Sequence, residues 1–260
     1  MSLLPRTAAY EQNRRKARDV LSFLRTSVYS TEPLLGQVMR IKDRTNIHRF
    51  LVHLEQAGVV RRSPIRTAMA TLTLWGITAE GQQLATPAGE EVSSLTFNIS
   101  KVSVARLEHY LSLQQIRITG EIFGWTEFIY CDREAKANPT KAESKYNVRP
   151  DLTALDSDGL RVAIECELSL KSPARYKDNI IPGHVRHINA DDYDYVLWIA
   201  QTPEEQQTLH QSLTAKIQEL MREQRLHLSH TFTDYKMFQF ANLQTWLKPQ
   251  LAIVPNGGQH

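Results

Sequence analysis

Residues 149–172 constrain the fold more than any other part of the chain. Leu152-Thr153-Ala154-Leu155 and Arg161-Val162-Ala163-Ile164-Glu165-Cys166-Glu167-Leu168 read as strands, and Ser157-Asp158-Gly159 between them is a hairpin signal. Strand side chains alternate. Glu165, Glu167, Ser169 and, if the strand lasts, Lys171 therefore share one face, and Ile164, Cys166, Leu168 and Leu170 share the other. Two carboxylates on one face of an apolar strand, with Asp151 near the start of the neighbouring strand, repel each other unless a cation joins them. Hard oxygen donors of this kind suit Mg2+ or Mn2+. Asp151, Glu165 and Glu167 are therefore the candidate metal ligands.

The elements around this hairpin read as an α/β core. A helix is expected from about Val104 to Gln114, then strands at Ile116-Arg117-Ile118 and Thr126-Glu127-Phe128-Ile129-Tyr130. Residues 132–147 are polar and contain Pro139, and read as a loop. Asp192–Ala200 reads as a buried strand with a polar start. Residues 203–225 read as an amphipathic helix beginning at Pro203-Glu204-Glu205.

The first quarter of the chain has a different character. Up to Arg66 it carries 13 Lys and Arg against 5 Asp and Glu, a local excess larger than the net charge of +3 of the whole chain. Such a bias suits a polyanion; a solvated basic face is the plainer alternative. Residues 8–30 read as a helix with Val20, Leu21, Leu24 and Val28 on one side. Thr31 and Pro33 start a second. Residues 43–57 form a third, with Ile47, Phe50, Leu51 and Leu54 as its apolar stripe and Gly58 as its stop. Strands at 59–62 and 70–75 flank a basic, Pro-containing loop, and a short helix starts at Ile77. Residues 82–100 read as a linker rich in Ala, Thr, Pro, Gly, Glu and Ser.

Three helices, a glycine and a two-stranded ribbon resemble the winged helix-turn-helix of DNA-binding domains. The resemblance implies that the third helix enters the major groove and that the ribbon meets phosphates. The DNA-binding candidates are then Arg44, Asn46, His48 and Arg49 on the helix and Arg61, Arg62 and Arg66 on the ribbon. A protein-interaction module is the other use of this layout.

Residues 149–172 in turn resemble the PD-(D/E)xK nuclease superfamily, in which Pro-Asp precedes a hairpin and an acid-x-Lys strand. Pro150-Asp151 is present, but Glu165-Cys166-Glu167 carries Glu where Lys is expected. Lys171 on the same strand face, or Lys177 on the following helix, is the candidate replacement. His109-Tyr110-Leu111-Ser112-Leu113, Arg149-Pro150-Asp151 and Ile164–Ser172, in that order, also resemble the replication-relaxation proteins of mobile elements and the MOBC class of plasmid relaxases. That class implies an N-terminal winged helix (1–90) and a restriction-endonuclease-like mixed-sheet domain (91–250); the last residues, 251–260, are expected to form a flexible tail. It implies Mg2+- or Mn2+-dependent nicking of one strand at a plasmid transfer origin, in the cytoplasm. Implied partners are origin DNA, relaxosome proteins and a type IV coupling ATPase, with a homodimer allowed. Asp151, Glu165 and Glu167 would hold the metal, and Lys171 would orient the nucleophile. Glu108, or else Glu121, would be the upstream acid. The competing reading is a non-catalytic DNA-binding accessory protein or repressor that keeps this fold as a scaffold.

Other chemistries find little in the sequence. Cys131 and Cys166 are isolated, which argues against a disulfide framework or a thiolate zinc site. No apolar run approaches the ~18 residues of a membrane span, and no secretory h-region opens the chain, so a soluble protein in a reducing compartment is expected. There is no Walker loop and no serine elbow. His184-x-x-His187 and His227-Leu228-Ser229-His230 lack a zincin Glu and read as surface or core pairs. His109 reads equally as a core or a phosphate-facing residue, and Tyr176 as packing on the strand.

Overall fold

The computed structural model describes residues 6–133, 148–226 and 237–246. The protein has a mixed, α+β arrangement of helices with two sheets. By contacts the chain divides into two compact units, Met1–Gln114 and Gln115–His260.

The first unit begins with α1 (Arg6–Ser27), which buries Val20, Leu21, Phe23 and Leu24. Val28 ends it with φ +63°, a left-handed conformation that costs a β-branched residue roughly 1–3 kcal/mol. The residue is held there by burial and by the hydrogen bond that its carbonyl accepts from Ile77 at 2.9 Å. The chain then runs through β1 (Tyr29–Thr31), α2 (Glu32–Val38), α3 (Arg44–Gln56), β2 (Val60–Arg66), β3 (Thr71–Ile77) and α4 (Ala79–Ala85). Asp43 caps α3 by accepting from the Asn46 amide at 2.7 Å, and Gly58, at φ +76°, lets the chain turn away after it. Ile47, Leu51 and Leu54 are the buried stripe of α3. The sheet has the order β1-β3-β2, all antiparallel. Pro64 is tolerated because β2 lies at its edge.

Residues 82–100 are more ordered than their composition predicts. Helix α4 covers 79–85. The Gln82 amide donates to the carbonyls of Arg25 and Leu95 at 3.1 and 2.5 Å. Phe97 is fully buried and bonded through its amide to the Ile77 carbonyl at 3.0 Å. It occupies the space above Gly76, where a Cβ would lie 2.1 Å from the Phe97 ring.

The second unit is built on a five-stranded mixed sheet. Its strands, in the order of the sheet, are β4 (Thr126–Tyr130), β5 (Leu152–Leu155), β6 (Arg161–Glu167), β7 (Tyr195–Ala200) and β8 (Phe238–Asn242). The first three pair antiparallel, and β6, β7 and β8 run parallel. β6 is therefore central, and both its faces are covered. The connection from β6 to β7 begins with a loop and then runs through three consecutive helical pieces: α6 (Pro173–Arg175), a π-helical segment (Tyr176–Ile180) and α7 (Ile181–Asn189). Tyr176, Ile181, Val185 and Ile188 from this connection pack with Ala163, Val196 and Trp198 of the sheet. Leu209, Leu213, Ile217 and Leu220 of α8 (Pro203–Arg222) complete that core. A capping box at Thr202 and Glu205 starts α8. A short α9 (Leu243–Trp246) follows β8.

Three local expectations are corrected. Ile116-Arg117-Ile118 is not a strand but lies inside α5 (Leu107–Ile122), because a three-residue alternation is too short to distinguish period two from one turn of helix. α5 starts at Leu107, after two 3-10 turns, rather than at Val104. β6 stops at Glu167, so Lys171 is not on the strand. The loop expected at 132–147, apart from its first two residues, and His227, His230 and the tail 251–260 lie outside the described residues.

Gly76→Ala tests the seat of Phe97. Overpacking a filled site costs about 1–3 kcal/mol, so the urea midpoint should fall accordingly. A variant as stable as the parent would contradict the close approach.

Candidate functional site

The hairpin β5–β6 and the loop after β6 assemble the acidic residues. Leu152 pairs with Ile164 across the hairpin, and one step further along the register Asp151 falls beside Glu165. The Asp151 carboxylate accepts from the Cys166 amide at 2.9 Å, and its own amide donates to the Ile164 carbonyl at 3.1 Å. Glu165 and Glu167 are buried, at 6% and 4% exposure, on the β6 face that also carries Ala163 toward the α7–α8 core. Burial pushes the Glu167 carboxyl above its ordinary range. The charges of Glu165 and Asp151 push the same way, and the Lys171 ammonium opposes them. Burial, followed by the fields of Asp151, Glu167 and Glu165, likewise raises the Cys166 thiol, so it stays protonated. The three carboxylates are thus close enough to act on one another.

Of the two candidate lysines, Lys171 lies with the carboxylates. Its ammonium is hydrogen-bonded to Glu167. It arrives there from the loop, four residues beyond its partner. The Lys171 amide donates to the Tyr176 hydroxyl oxygen at 3.1 Å, and the Tyr176 ring packs at 5.9 Å against Trp198. Lys177 points elsewhere and pairs with Glu219 and Glu223 at 2.7 and 2.8 Å. Glu108 is exposed and belongs to the first unit. Glu121 pairs with Arg117 at 2.7 Å. Arg149, which opens the Arg149-Pro150-Asp151 motif, pairs with Asp132 at 3.7 Å.

His184, read from the sequence as half of a surface or core pair with His187, is in the core, and its partner there is a site carboxylate. This residue is fully buried on α7, with Nε2 3.1 Å from Glu165 Oε1 and Nδ1 2.6 Å from the Tyr193 hydroxyl. Burial, reinforced by the Lys171 charge, holds its pKa down at about 3, so the ring is neutral at ordinary pH. With a neutral ring, Nε2–H donates to the Glu165 carboxylate and the Tyr193 hydroxyl donates to Nδ1, which satisfies both nitrogens. Trp198 at 5.7 Å and Tyr193 at 5.9 Å lie edge-on to the ring. His187, three residues on, pairs instead with Asp192 at 2.9 Å, so the two histidines are no metal pair. Sequence spacing pairs His184 with His187 and gives no sign of Glu165, which is 19 residues away on another element.

With all four groups ionised, the three carboxylates and Lys171 leave two negative charges, which a divalent cation balances. All the candidate donors are hard oxygens, which fit Mg2+ or Mn2+. Among the described residues, no group of three or more His, Cys, Asp or Glu side chains is drawn together as a ready ligand set. The donor chemistry fits a metal ion, then, while Glu165 and Glu167 are already engaged by His184 and Lys171.

The basic candidates of the first unit separate into two groups. Glu32 on α2 holds two of them: His48 Nδ1 at 3.0 Å and Arg44 Nε at 3.7 Å. Arg62 pairs with Glu55 at 3.2 Å and lies 5.6 Å over the Trp75 ring, and Arg61 lies 5.6 Å over Phe97. His48, Arg61 and Arg62 are thus held against their own unit, whereas the Arg44 side chain is 94% exposed and its ion pair holds it only weakly. Asn46, Arg49 and Arg66 are exposed, Arg49 opposite the buried stripe of α3 and Arg66 at the end of β2. His109 is half-buried. Among the described residues, no helix is long and apolar enough to cross a membrane.

No protein-family profile, characterised protein or solved structure matches this chain.

The depressed pKa of His184 has a consequence for stability. The unfolded histidine takes a proton near pH 6.5, and the folded one resists protonation down to about pH 3. Between these values the unfolded chain binds more protons, so this contribution is present above pH 6.5 and is lost as the pH falls. Glu167, with a raised pKa, acts in the opposite sense. The urea midpoint of the parent should therefore fall more steeply from pH 7 to pH 4 than that of His184→Gln, in which Glu167 is unchanged. Parallel profiles would contradict the neutral, buried ring.

Proposed function

We propose that this protein is a metal-dependent DNA-nicking endonuclease of the relaxase type. In this reading the first unit is a winged helix-turn-helix that binds duplex DNA, and the second is a nuclease-like domain that cuts one strand. The observation that carries it is the group of Asp151, Glu165, Glu167 and Lys171 at the carboxyl end of the central strand β6. Ligand and catalytic groups of open α/β sheets gather at that end. Asp151, Glu165 and Glu167 would hold Mg2+ or Mn2+. When bound, the metal supplies an activated water and neutralises charge on the scissile phosphate. The chain's own residues do the rest. His184 fixes the Glu165 carboxylate, Tyr193 fixes His184, and Lys171 places a positive charge beside Glu167 where negative charge builds up on the phosphate. Arg49 and Arg66 are the first choices for phosphate contacts, with Asn46 beside them. The substrate would be a plasmid transfer origin, acted on in the cytoplasm together with relaxosome proteins and a coupling ATPase.

A second reading, a non-catalytic DNA-binding accessory protein or repressor, draws on one specific observation: Glu167 is already ion-paired with Lys171. The two readings part on supercoiled plasmid carrying the origin of its own replicon, with Mg2+ or Mn2+. The first expects the parent to convert it to the open circle, and expects Asp151→Ala and Glu165→Ala to lose at least a hundredfold in rate while binding the DNA as the parent does. Unchanged nicking in both variants would remove the metal assignment, and no nicking by the parent would favour the second reading. Arg66→Ala should weaken duplex binding and lower the slope of log K against log salt by about 0.9, the share of one phosphate contact.

A further inference from the structure

A groove of about 710 Å³ lies between the start of α1 and the outer side of α3 in the first unit. Its cations are Arg14 and Lys16 from α1 and Arg49 from α3, and no Asp or Glu is among the side chains that line it. Its floor is apolar, with Phe50 and Leu54. Tyr10 stands at its lip, 62% exposed, with the Arg14 guanidinium 5.9 Å over its ring. The pair of Arg14 with Glu11 at 3.6 Å is solvent-exposed on both sides and holds the guanidinium only weakly. Three permanent positive charges around an apolar floor with an exposed aromatic face form a surface that calls for an anionic partner with flat apolar groups.

We propose that this groove binds single-stranded nucleic acid, with phosphates at Arg14 and Lys16 and bases against Tyr10 and Phe50, Arg49 being the one cation shared between the groove and the duplex-facing side of α3; the inference rests on reading the chain as a DNA-acting protein. A duplex fits less well, because its bases are already stacked and would leave the Tyr10 face and the floor exposed to water. Cations that track the backbone, with aromatic side chains under the bases, are what sequence-tolerant strand binding requires. An acidic peptide would match the charge, but it brings no regular flat partner for the Tyr10 ring.

The experiment is fluorescence anisotropy on the full chain, with an oligo-dT of about 12 nucleotides and with a blunt duplex. Tyr10 and Arg14 are exposed and Lys16 half-buried on the surface of α1, so their removal leaves the core intact. Tyr10→Ala should weaken oligo-dT binding about tenfold, as loss of a stacking platform does, with little effect on duplex. The double variant Arg14→Ala/Lys16→Ala should lower the single-strand salt slope by about 1.4, two contacts' worth. Arg66→Ala should show the converse pattern, with weaker duplex and unchanged oligo-dT binding. Oligo-dT binding that is indifferent to both groove changes overturns the proposal. So does groove-dependent binding of an acidic amphipathic peptide without binding of oligo-dT. If duplex binding still responds to Arg66→Ala in either case, the DNA-acting reading survives. Failure of the parent to bind either nucleic acid overturns both.

Discussion

A carboxylate buried in the middle of a sheet requires a hydrogen-bond donor or a counter-charge, and the second unit is arranged around that requirement at Glu165 and Glu167. Glu165 receives its donor from His184 and Glu167 its counter-charge from Lys171. Both partners come from the connection between β6 and β7. The route of that connection, through the helical turn α6, the π-helical segment and α7, brings His184 beside Glu165 and the Tyr176 hydroxyl beside the Lys171 amide. Trp198 and Tyr193 pack edge-on against the His184 ring, and Tyr176 packs against Trp198. Removing one partner of such a buried group leaves the other with its full desolvation cost, which is why these residues act as a unit.

In the first unit, charge is handled in the opposite way. The cations lie at the surface and several are tethered: His48 by Glu32, Arg62 by Glu55 and Trp75, Arg61 by Phe97. A tethered guanidinium is pre-oriented but partly neutralised. The count of positive residues in a sequence therefore overstates the positive field of the surface, and the exposed residues around α3 and the end of β2 carry more of it than the tethered ones.

The sequence made much of this legible through short-range rules. Asp43, Gly58 and the Ile47, Leu51 and Leu54 stripe give the bounds of α3 to within a residue or two, because caps and helical period are local physics. Period two put Glu165 and Glu167 on one face for the same reason. The misreadings were also local in origin. Ile116-Arg117-Ile118 fits a strand or one turn of helix equally well. Residues 82–100 have a linker's composition, yet they supply Gln82 and Phe97 to the core. β1 and β8 are short, and their identity depends on the strands beside them rather than on their own pattern.

What the sequence determined by itself is the set of acids and the strand that carries them: Asp151 before the hairpin, Glu165 and Glu167 on a central apolar strand, and a basic, helix-rich first quarter. Only the tertiary structure decided which groups answer those acids. Lys171 meets Glu167 through a loop and not along the strand, Lys177 turns away to Glu219 and Glu223, and His184 reaches Glu165 from 19 residues along the chain. The physical reason is that alternation, capping and charge bias act over a few residues. The neutralisation of a buried charge depends instead on whatever element the fold packs against it.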